Sequence, residues 1–425
     1  MGIRDVGVGM RIRVHRGTRE IGGTCVELQS GQARILLDLG LPLNAKEVTS
    51  TPLPAVDGLE APSENLLAII LSHGHRDHWG LIPKAHSSIP LAMGAATESI
   101  LTAAAAFVPD GVGLKASYHL AAKEPLVIGP FTIIPHLVDH SGFDAYAFEI
   151  EADGKRLFYS GDLRAHGRKG VLFEALVRDP PKAIDVMLME GSSLGRLAND
   201  KKFPSETELE GLFVDRFNRT TGLALVACSA QNIDRVVTVY RAAKRTGRTL
   251  LVDAYAAEIL FAAGRSSVPK PEHGWTNIAV YIPQAQRVAL VRNGIAPLVD
   301  KYRDFRVWPD HLKESAARSV MLFRGWMMRD LAAADALSGA RVIWSQWDGY
   351  LADGAGAALR SDCERRNIPF EVIHTSGHAS VPDLQRLASA VAPNRLIPIH
   401  TSARNEFPKL FQNVMLADDG EWIDV

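Results

Sequence analysis

The sequence has few cysteines, no long apolar segment and almost no net charge. Three cysteines in 425 residues, Cys25, Cys228 and Cys363, are too few and too scattered for a disulfide framework or a cysteine zinc site. No apolar run approaches about 18 residues, so we expect no membrane-spanning helix and no membrane partner. The amino-terminal residues lack the apolar stretch of a secretory signal, and we therefore expect a cytoplasmic protein.

Charge is distributed unevenly although its sum is nearly zero. The formal net charge of −1 argues against a protein that binds nucleic acid by bulk electrostatics. Residues 196–345, however, carry 22 Lys and Arg against 15 Asp and Glu. Such a segment is typical of a module that faces a polyanion, and also of an ordinary solvated surface. If it faces a polyanion, we expect Arg235, Lys244, Arg245 and Arg248, on or next to a predicted helix at 231–246, to contact it.

Two kinds of pattern divide the chain. Residues 1–195 repeat a short apolar strand followed by a polar loop with His or Asp, and this theme returns at FEVI (370–373) and RLIPI (395–399). Between them, a capping box at 205–208 opens a predicted helix, and buried strands alternate with helices. We therefore predict one domain formed by residues 1–195 and 351–425, with a second α/β domain inserted at 196–350.

The densest group of candidate metal ligands is His73-x-His75-x-Asp77-His78. It follows the apolar strand LLAIIL (66–71) and precedes a helix predicted to begin near Trp79. Imidazole and carboxylate groups together suit Zn²⁺, with Mn²⁺ or Fe as alternatives. A loop at a strand end can direct neighbouring side chains toward two different ions. The spacing therefore predicts a metal site.

Three further candidates, His140, Asp162 and His400, each follow a separate apolar strand. A lone His at such a position is more often a hydrogen-bonded core residue than a ligand. In an α/β architecture, however, strand ends converge on one rim, so we expect these residues to lie beside the histidine cluster. Together the seven residues would form two ligand sets, with Asp162 able to bridge them.

The order of these motifs resembles a known family. HGHRDH (73–78), His140 and Gly161-Asp162 are similar to the metal motifs of the metallo-β-lactamase fold, and Glu190, His378 and His400 fall where its β-CASP nuclease branch has three additional motifs. The segment GTREIGG (17–23), followed by LLDLG (36–40), is similar to bacterial ribonuclease J. The resemblance implies an α/β fold, namely a metallo-β-lactamase αββα sandwich with an inserted α/β β-CASP domain.

The resemblance also implies the ligands of two zinc ions per chain. Asp77, Glu190 and His378 would be catalytic, with Glu190 an acid beside the metals. Asp38 would support the ligands, or it is an ordinary polar position in its strand. The ligand sets would be His73, His75 and His140 for one ion and Asp77, His78 and His400 for the other, with Asp162 between them.

Substrate contacts follow from the same resemblance. His378 would contact the scissile phosphate and act as an acid, while Ser376 and Gly377 would hold a substrate phosphate. Ser229, from the inserted domain, would add to that pocket. These residues would anchor a terminal 5′-monophosphate at a fixed distance from the metals.

The loop after Asp162 carries several basic or titratable groups, among them Arg164 and His166. Two interpretations of this loop stay open. It captures substrate phosphate, or it is a solvated surface loop.

The leading functional hypothesis is a zinc-dependent ribonuclease that cleaves single-stranded RNA. It would use two-metal hydrolysis with a bridging hydroxide, as a 5′-to-3′ exonuclease, an endonuclease or both. The basic inserted segment favours a polymer, since a small substrate needs no long cationic cleft. The alternatives are a DNA substrate, or a small ester, thioester or cyclic phosphodiester.

Two departures from ribonuclease J bear on this hypothesis. The chain ends 25 residues after His400, so we expect a short form without the family's C-terminal domain, and any oligomer would form without that domain. His400 is followed by Thr401-Ser402, where the nuclease branch has Gly-Glu. This difference concerns the substrate and leaves the metal ligands unaffected.

Overall fold

The computed structural model describes residues 9–45, 47–108, 111–352 and 354–425. Residues 1–8, which enter the argument about a secretory signal, lie outside the described part. Contacts divide the described chain into two units. The first covers Met1–Leu101, Val112–Phe203 and Gly377–Val425, and the second covers Thr102–Gly111 and Pro204–Ser376.

Two sheets of the first unit share one core. Ile35 and Ile70 from one sheet, and Phe148 and Leu188 from the other, are fully buried in it, as expected for two sheets packed face to face. In chain order, the strands of the first sheet are β1 (Arg11–Arg16), β2 (Cys25–Ser30), β3 (Ala33–Leu37), β4 (Leu66–Ile70), β5 (Leu91–Gly94), β6 (Tyr118–Leu120) and β19 (Trp422–Asp424). Those of the second sheet are β7 (Leu126–Ile128), β8 (Phe131–Val138), β9 (Ala145–Ala152), β10 (Lys155–Tyr159), β11 (Val186–Glu190) and β18 (Arg395–Ile399).

Helices cover the outer faces of both sheets. Phe173 and Leu384 pack on the outer face of the second sheet, while Leu101 packs with Leu36 and Ile69 on the outer face of the first. The helices concerned are α1 (Arg76–Trp79), α2 (Ala95–Ala105), α3 (Gly170–Arg178), α12 (Val381–Val391) and α13 (Phe407–Leu410). This layering confirms the predicted αββα sandwich.

Local sequence accounts for several of these strands. Strands β2 and β3 pair antiparallel as a hairpin, and Gly31, at φ +57°, adopts the left-handed conformation that its tight turn requires. In the second sheet, β10, β11 and β18 run parallel, and Glu190 at the end of β11 lies opposite Ile399 at the end of β18. Side chains that follow these strands therefore meet at one edge.

The second unit has a parallel sheet with its own core. The strands are β12 (Ala224–Ala227), β13 (Thr249–Val252), β14 (Ile278–Val280), β15 (Ser319–Leu322), β16 (Arg341–Trp344) and β17 (Phe370–Val372), in the spatial order β14-β13-β15-β12-β16-β17. Its helices are α4 (Glu206–Arg219), α5 (Ile233–Arg245), α6 (Ala254–Ala262), α7 (Gln284–Arg292), α8 (Pro297–Lys301), α9 (Pro309–Ser315), α10 (Met328–Ala333) and α11 (Gly354–Arg365).

Helix α4 begins as its sequence predicts. Ser205 caps it by accepting a hydrogen bond from the backbone N–H of Glu208, and the Glu208 carboxylate accepts one from the backbone N–H of Ser205. Residues 351–376, placed by the sequence pattern in the return segment, belong to the second unit. The strand within FEVI pairs with β16 of the second unit. The sequence could not show this, because a strand followed by histidine carries no local signal of which sheet it joins.

Two basic residues of the second unit differ from expectation. The prediction that Arg235 and Arg248 contact a polyanion is wrong, since both side chains are buried. The Arg235 guanidinium lies 2.9 Å from the carboxylate of Glu206, and Arg248 donates hydrogen bonds to the carbonyls of Gly222 and Ser319. Their charges serve internal contacts.

Among the described helices, none is both long enough and apolar enough to cross a bilayer.

Candidate metal centre

The candidate ligands of the first unit collect at the carboxyl ends of its strands. His73 lies three residues after β4, His140 two residues after β8, Asp162 three residues after β10 and His400 directly after β18. These residues are up to 327 positions apart in the sequence. They come together because the strands that precede them end at one edge.

Two of the ligands lie on a helix. The prediction of a helix beginning near Trp79 is wrong by three residues, since α1 begins at Arg76 and His75 is its N-cap. Asp77 and His78 therefore occupy the first turn of α1, where backbone geometry fixes their directions. The Asp77 carboxylate stands close to the helix N-terminus, which favours a negative charge.

The first candidate ligand set is formed by three histidines. Nitrogen atoms of His73, His75 and His140 lie within 4.8 Å of one another. The N–H at Nδ1 of His140 donates to the carbonyl of Gly377 at 2.6 Å, which turns Nε2 toward the site, 3.0 Å from Nδ1 of His75. Gly142 packs closely against this set: a Cβ at this position would stand only 3.0 Å from Cδ2 of His73.

The second candidate set combines one carboxylate with two histidines. Ligand atoms of Asp77, His78 and His400 also lie within 4.8 Å of one another. Nε2 of His400 is 3.7 Å from Oδ2 of Asp77, and Nε2 of His78 is 4.0 Å from the same oxygen. The rings of His78 and His400 stack with centroids 4.9 Å apart.

Asp162 lies between the two sets. Its Oδ2 is 3.1 Å from Nε2 of His78, 3.6 Å from Nε2 of His400 and 3.8 Å from Nε2 of His73. One carboxylate thus approaches members of both sets. The carboxylate is buried together with His73, His78 and His400.

Several buried ligand atoms have no hydrogen-bond partner among the described residues. These are Nε2 of His73, Nε2 of His400 and Oδ1 of Asp162. A buried polar atom without a partner costs about 1–3 kcal/mol, so such atoms need an explanation. Nitrogen and carboxylate oxygen donors at these separations fit divalent zinc, and an ion would satisfy these atoms.

The protonation states of most candidate ligands suit metal binding. His78 differs, because burial lowers its pKa but Asp162 and Asp38 outweigh burial and hold the pKa well above the usual value, so this imidazole would lose a proton on binding an ion. Burial lowers the pKa of His73 and His140 well below the usual value, and it lowers the pKa of His75 and His400 as well. Burial alone would raise the pKa of Asp162, but His400 and His78 hold it well below its usual range. Neutral imidazoles and an ionised carboxylate are the forms that bind a cation.

Asp38 supports the second set. Its buried carboxylate accepts hydrogen bonds from Nδ1–H of His78 at 2.7 Å, from the backbone N–H and hydroxyl of Ser72, and from the Tyr159 hydroxyl at 2.6 Å. This fixes the tautomer that leaves Nε2 of His78 facing the site. Ser72 and Tyr159 are missed by sequence reasoning. The Tyr159 hydroxyl, for example, lies 121 positions from Asp38 in the sequence and so gives no local signal of the contact.

Asp38 and His400 also share an uncommon backbone conformation. Their φ values are +59° and +50°, in the left-handed region that few residues other than glycine adopt. Each follows the last residue of a strand, β3 or β18, and the change of direction turns its side chain into the site. Thr24, also missed from the sequence, holds His400 with its hydroxyl 2.7 Å from Nδ1.

Glu190 and His378 form a pair beside Asp162. Nδ1 of His378 lies 3.2 Å from Glu190 and 3.8 Å from Asp162. Burial lowers the pKa of His378, but Glu190 and Asp162 outweigh it and raise the pKa to about 9. Glu190 itself is fully buried and accepts a hydrogen bond from the backbone N–H of Ser192.

The remaining candidates differ in placement. The prediction that Arg164 contacts substrate phosphate is wrong, because the side chain is fully buried and its Nε donates to Asp139 at 3.2 Å. His166 is partly exposed, with its ring 5.4 Å from that of Phe203. Gly377 belongs to the first unit with His378, and its carbonyl accepts from His140. Ser229 and Ser376 belong to the second unit.

Comparisons with known proteins agree with the resemblance. No family model matches the chain. Ribonuclease J of Helicobacter pylori (strain B128) is 20% identical over 96% of this chain and 60% of that protein. Ribonuclease J of Mycobacterium tuberculosis (strain ATCC 25618 / H37Rv) is 22% identical over 98% of this chain and 75% of that protein. An RNase J-like protein of Methanocaldococcus jannaschii is 26% identical over 49% of this chain and 48% of its own.

These similarities confirm the resemblance to ribonuclease J over nearly the whole chain. The chain spans 60% of the length of the Helicobacter pylori protein. Among solved structures, a protein of unknown function from Enterococcus faecalis V583 superimposes with a TM-score of 0.77 at 19% identity, covering 98% of this chain and 100% of that one. This likeness shows that the fold is shared.

Proposed function

We propose that the protein is a metal-dependent hydrolase that cleaves phosphodiester bonds of single-stranded RNA with two zinc ions. The observation that carries this proposal is the pair of ligand sets joined by Asp162, each with ligand atoms within 4.8 Å of one another. The names of the relatives support RNA as the substrate.

The chain's own residues would prepare the site in three ways. Asp38 and the carbonyl of Gly377 orient His78 and His140, so that each presents Nε2 to an ion. Bound divalent ions would supply Lewis acidity and lower the pKa of a water molecule. Glu190 lies 3.2 Å from Nδ1 of His378 and favours its protonated form, so His378 is placed to donate a proton to the leaving 3′ oxygen.

The mode of cleavage follows from how the substrate is held. We propose a 5′-to-3′ exonuclease that anchors a terminal monophosphate, with Gly377 of the first unit as the contact beside the ligand sets. A fixed distance between anchor and ions would present the first linkage for hydrolysis. An endonuclease would need no such anchor and would release products of many lengths.

Metal analysis and a substrate panel test the proposal together. Protein purified without chelators should contain about two zinc ions per chain, and it should hydrolyse 5′-labelled RNA faster than single-stranded DNA. Asp77→Asn should remove turnover, while His86→Ala, a histidine outside the site, should not. Less than one equivalent of any transition metal after reconstitution would reject the two-ion site.

The same panel separates the substrate classes. RNA with a 5′-monophosphate should be degraded faster than RNA with a 5′-hydroxyl or 5′-triphosphate. Equal rates on all three ends would reject the anchored exonuclease in favour of an endonuclease. Inactivity on every polymer, together with hydrolysis of bis-p-nitrophenyl phosphate, would indicate a small-substrate hydrolase.

A further inference from the structure

The second unit contains a cavity of about 950 Å³ that the proposed hydrolysis does not use. It lies at the carboxyl ends of β12, β15 and β16, which are neighbours in the parallel sheet. In the sheet, β15 and β12 are neighbours, with β13 on one side of the pair and β16 on the other. The chain leaves β12 toward β13 and leaves β15 toward β16, so the two connections run in opposite directions. Ligands of open parallel sheets bind at such a crevice.

Aromatic side chains form much of the wall. Trp326, after β15, and Tyr350, before α11, keep 47% and 54% of their surface exposed, although both are large and apolar. Tyr255 and Trp344 line the same space. Small residues such as Ala230 also line the cavity. Exposed aromatic surface in a concave site indicates a ligand with a flat, apolar face.

The polar groups of the wall suit a ligand that also carries negative charge. Arg324 and Arg365 are lining residues. Arg324 is already paired with the buried carboxylate of Asp253 and stands 5.1 Å from the centroid of the Tyr255 ring, so a ligand phosphate would share this guanidinium with Asp253. Among the described residues that line the cavity, Asp362 is the one carboxylate, and it lies 3.0 Å from Arg365. The Gln346 amide offers both a donor and acceptors to the edge of a base.

We infer that this cavity binds an unstacked base of single-stranded RNA, which stacks on the exposed ring surface that Trp326 and Tyr350 present to the cavity. A flat π-face for the aromatic rings and a phosphate for the arginines occur together in a nucleotide. The volume lies in the upper part of the range of about 300–1,000 Å³ found for small-ligand sites, which accommodates a base with its ribose. The inference rests on the proposed RNA substrate and extends it to a site in the second unit.

Binding without turnover tests this inference separately from hydrolysis. The metal-loaded protein is titrated into labelled single-stranded RNA with phosphorothioate linkages, which resist cleavage, and fluorescence anisotropy gives the dissociation constant. Trp326→Ala and Tyr350→Ala should each weaken binding about 5- to 100-fold, the range expected for one lost stacking contact. Trp326→Phe should restore most of the affinity, since it keeps a ring.

Trp308→Ala is the matched control, because Trp308 is also exposed (42%) in the second unit but does not line the cavity. It should leave the dissociation constant unchanged. Equal affinities for Trp326→Ala and Trp308→Ala would overturn the inference. So would competition by a free 5′-mononucleotide at the same concentration as the RNA, which would assign the cavity to a small nucleotide. Failure of hydrolysis alone would leave these binding results interpretable and would count against the proposed function only.

Discussion

The strand ends of the two units have opposite characters. In the first unit, imidazole and carboxylate groups such as His73 and Asp162 are buried, some without hydrogen-bond partners. In the second unit, aromatic groups such as Trp326 are left exposed around an open cavity. Buried polar atoms call for a cation, whereas exposed aromatic surface calls for an apolar ligand. The same position in two sheets is therefore suited to the proposed hydrolysis in one unit and to the inferred base binding in the other.

Removing the carboxylate shared by both ligand sets should have the largest effect. Asp162→Asn keeps the shape of the side chain but removes the negative charge between the two candidate ligand sets. We expect turnover of a small diester to fall about 10³-fold or more, since metal-assisted charge stabilisation contributes several kcal/mol. Steady-state rates and zinc content by elemental analysis measure this effect. Near-normal rates with two zinc ions bound would contradict the bridging position.

The second test asks whether buried charge in the second unit is structural. Arg235→Met removes the guanidinium that neutralises the buried carboxylate of Glu206, and we expect the free energy of unfolding to fall by about 3–5 kcal/mol. Urea denaturation followed by circular dichroism measures it. Lys244→Met, an exposed residue on the same helix, is the control and should change stability by less than about 0.5 kcal/mol. A loss of RNA affinity without a loss of stability would instead return Arg235 to a binding role.

A smaller effect is expected from the residue that orients His78. Asp38→Asn removes the charge but keeps a polar group beside Nδ1, so zinc affinity should fall about 10- to 100-fold with the fold retained. Competition with a chromophoric chelator measures affinity. Asp57→Asn, whose side chain is exposed, should have no effect. If Asp38→Asn binds zinc as the parent does, then Asp38 is only a structural residue of its strand end.

The smallest effect concerns the packing of the first ligand set. In Gly142→Ala, the new methyl group would stand 3.0 Å from His73 and 3.2 Å from His140, so both rings must move by a few tenths of an ångström. We expect affinity for one of the two zinc ions to fall by about 1 kcal/mol, or about fivefold, with the other unchanged. Isothermal titration should resolve two unequal sites. An equal loss of zinc affinity at both sites would show that a change in the first ligand set also alters the second.

In the first unit, the sequence predicts the candidate ligands at the strand ends better than it predicts the hydrogen bonds that hold them in place. His73, His140, Asp162 and His400 follow strands that are visible as apolar runs, so their convergence follows from the fold class. Tyr159 and its hydrogen bond to Asp38 could not be predicted, since the contact depends on the register between distant strands.

Burial of charge is the second thing that local pattern does not reveal. Arg164 lies in a polar loop and Arg235 on a helix rich in basic residues, yet both side chains are fully buried against carboxylates. Likewise, the strand within FEVI has the same pattern as strands of the first unit but joins the sheet of the second. Partners supplied by distant segments decide these cases.

The pairing of β18 with β11 has a consequence for biosynthesis. The chain must be synthesised to residue 400 before the second ligand set is complete, because His400 follows β18 and the second unit is translated in between. In a nascent chain, the second unit can fold through its own contacts before β18 is available to pair with β11. A ribosome stalled within residues 204–376 would hold a chain that has the three-histidine set, Asp162, Asp77 and His78 but lacks His400, so completion of the second set would report that translation has passed the second unit.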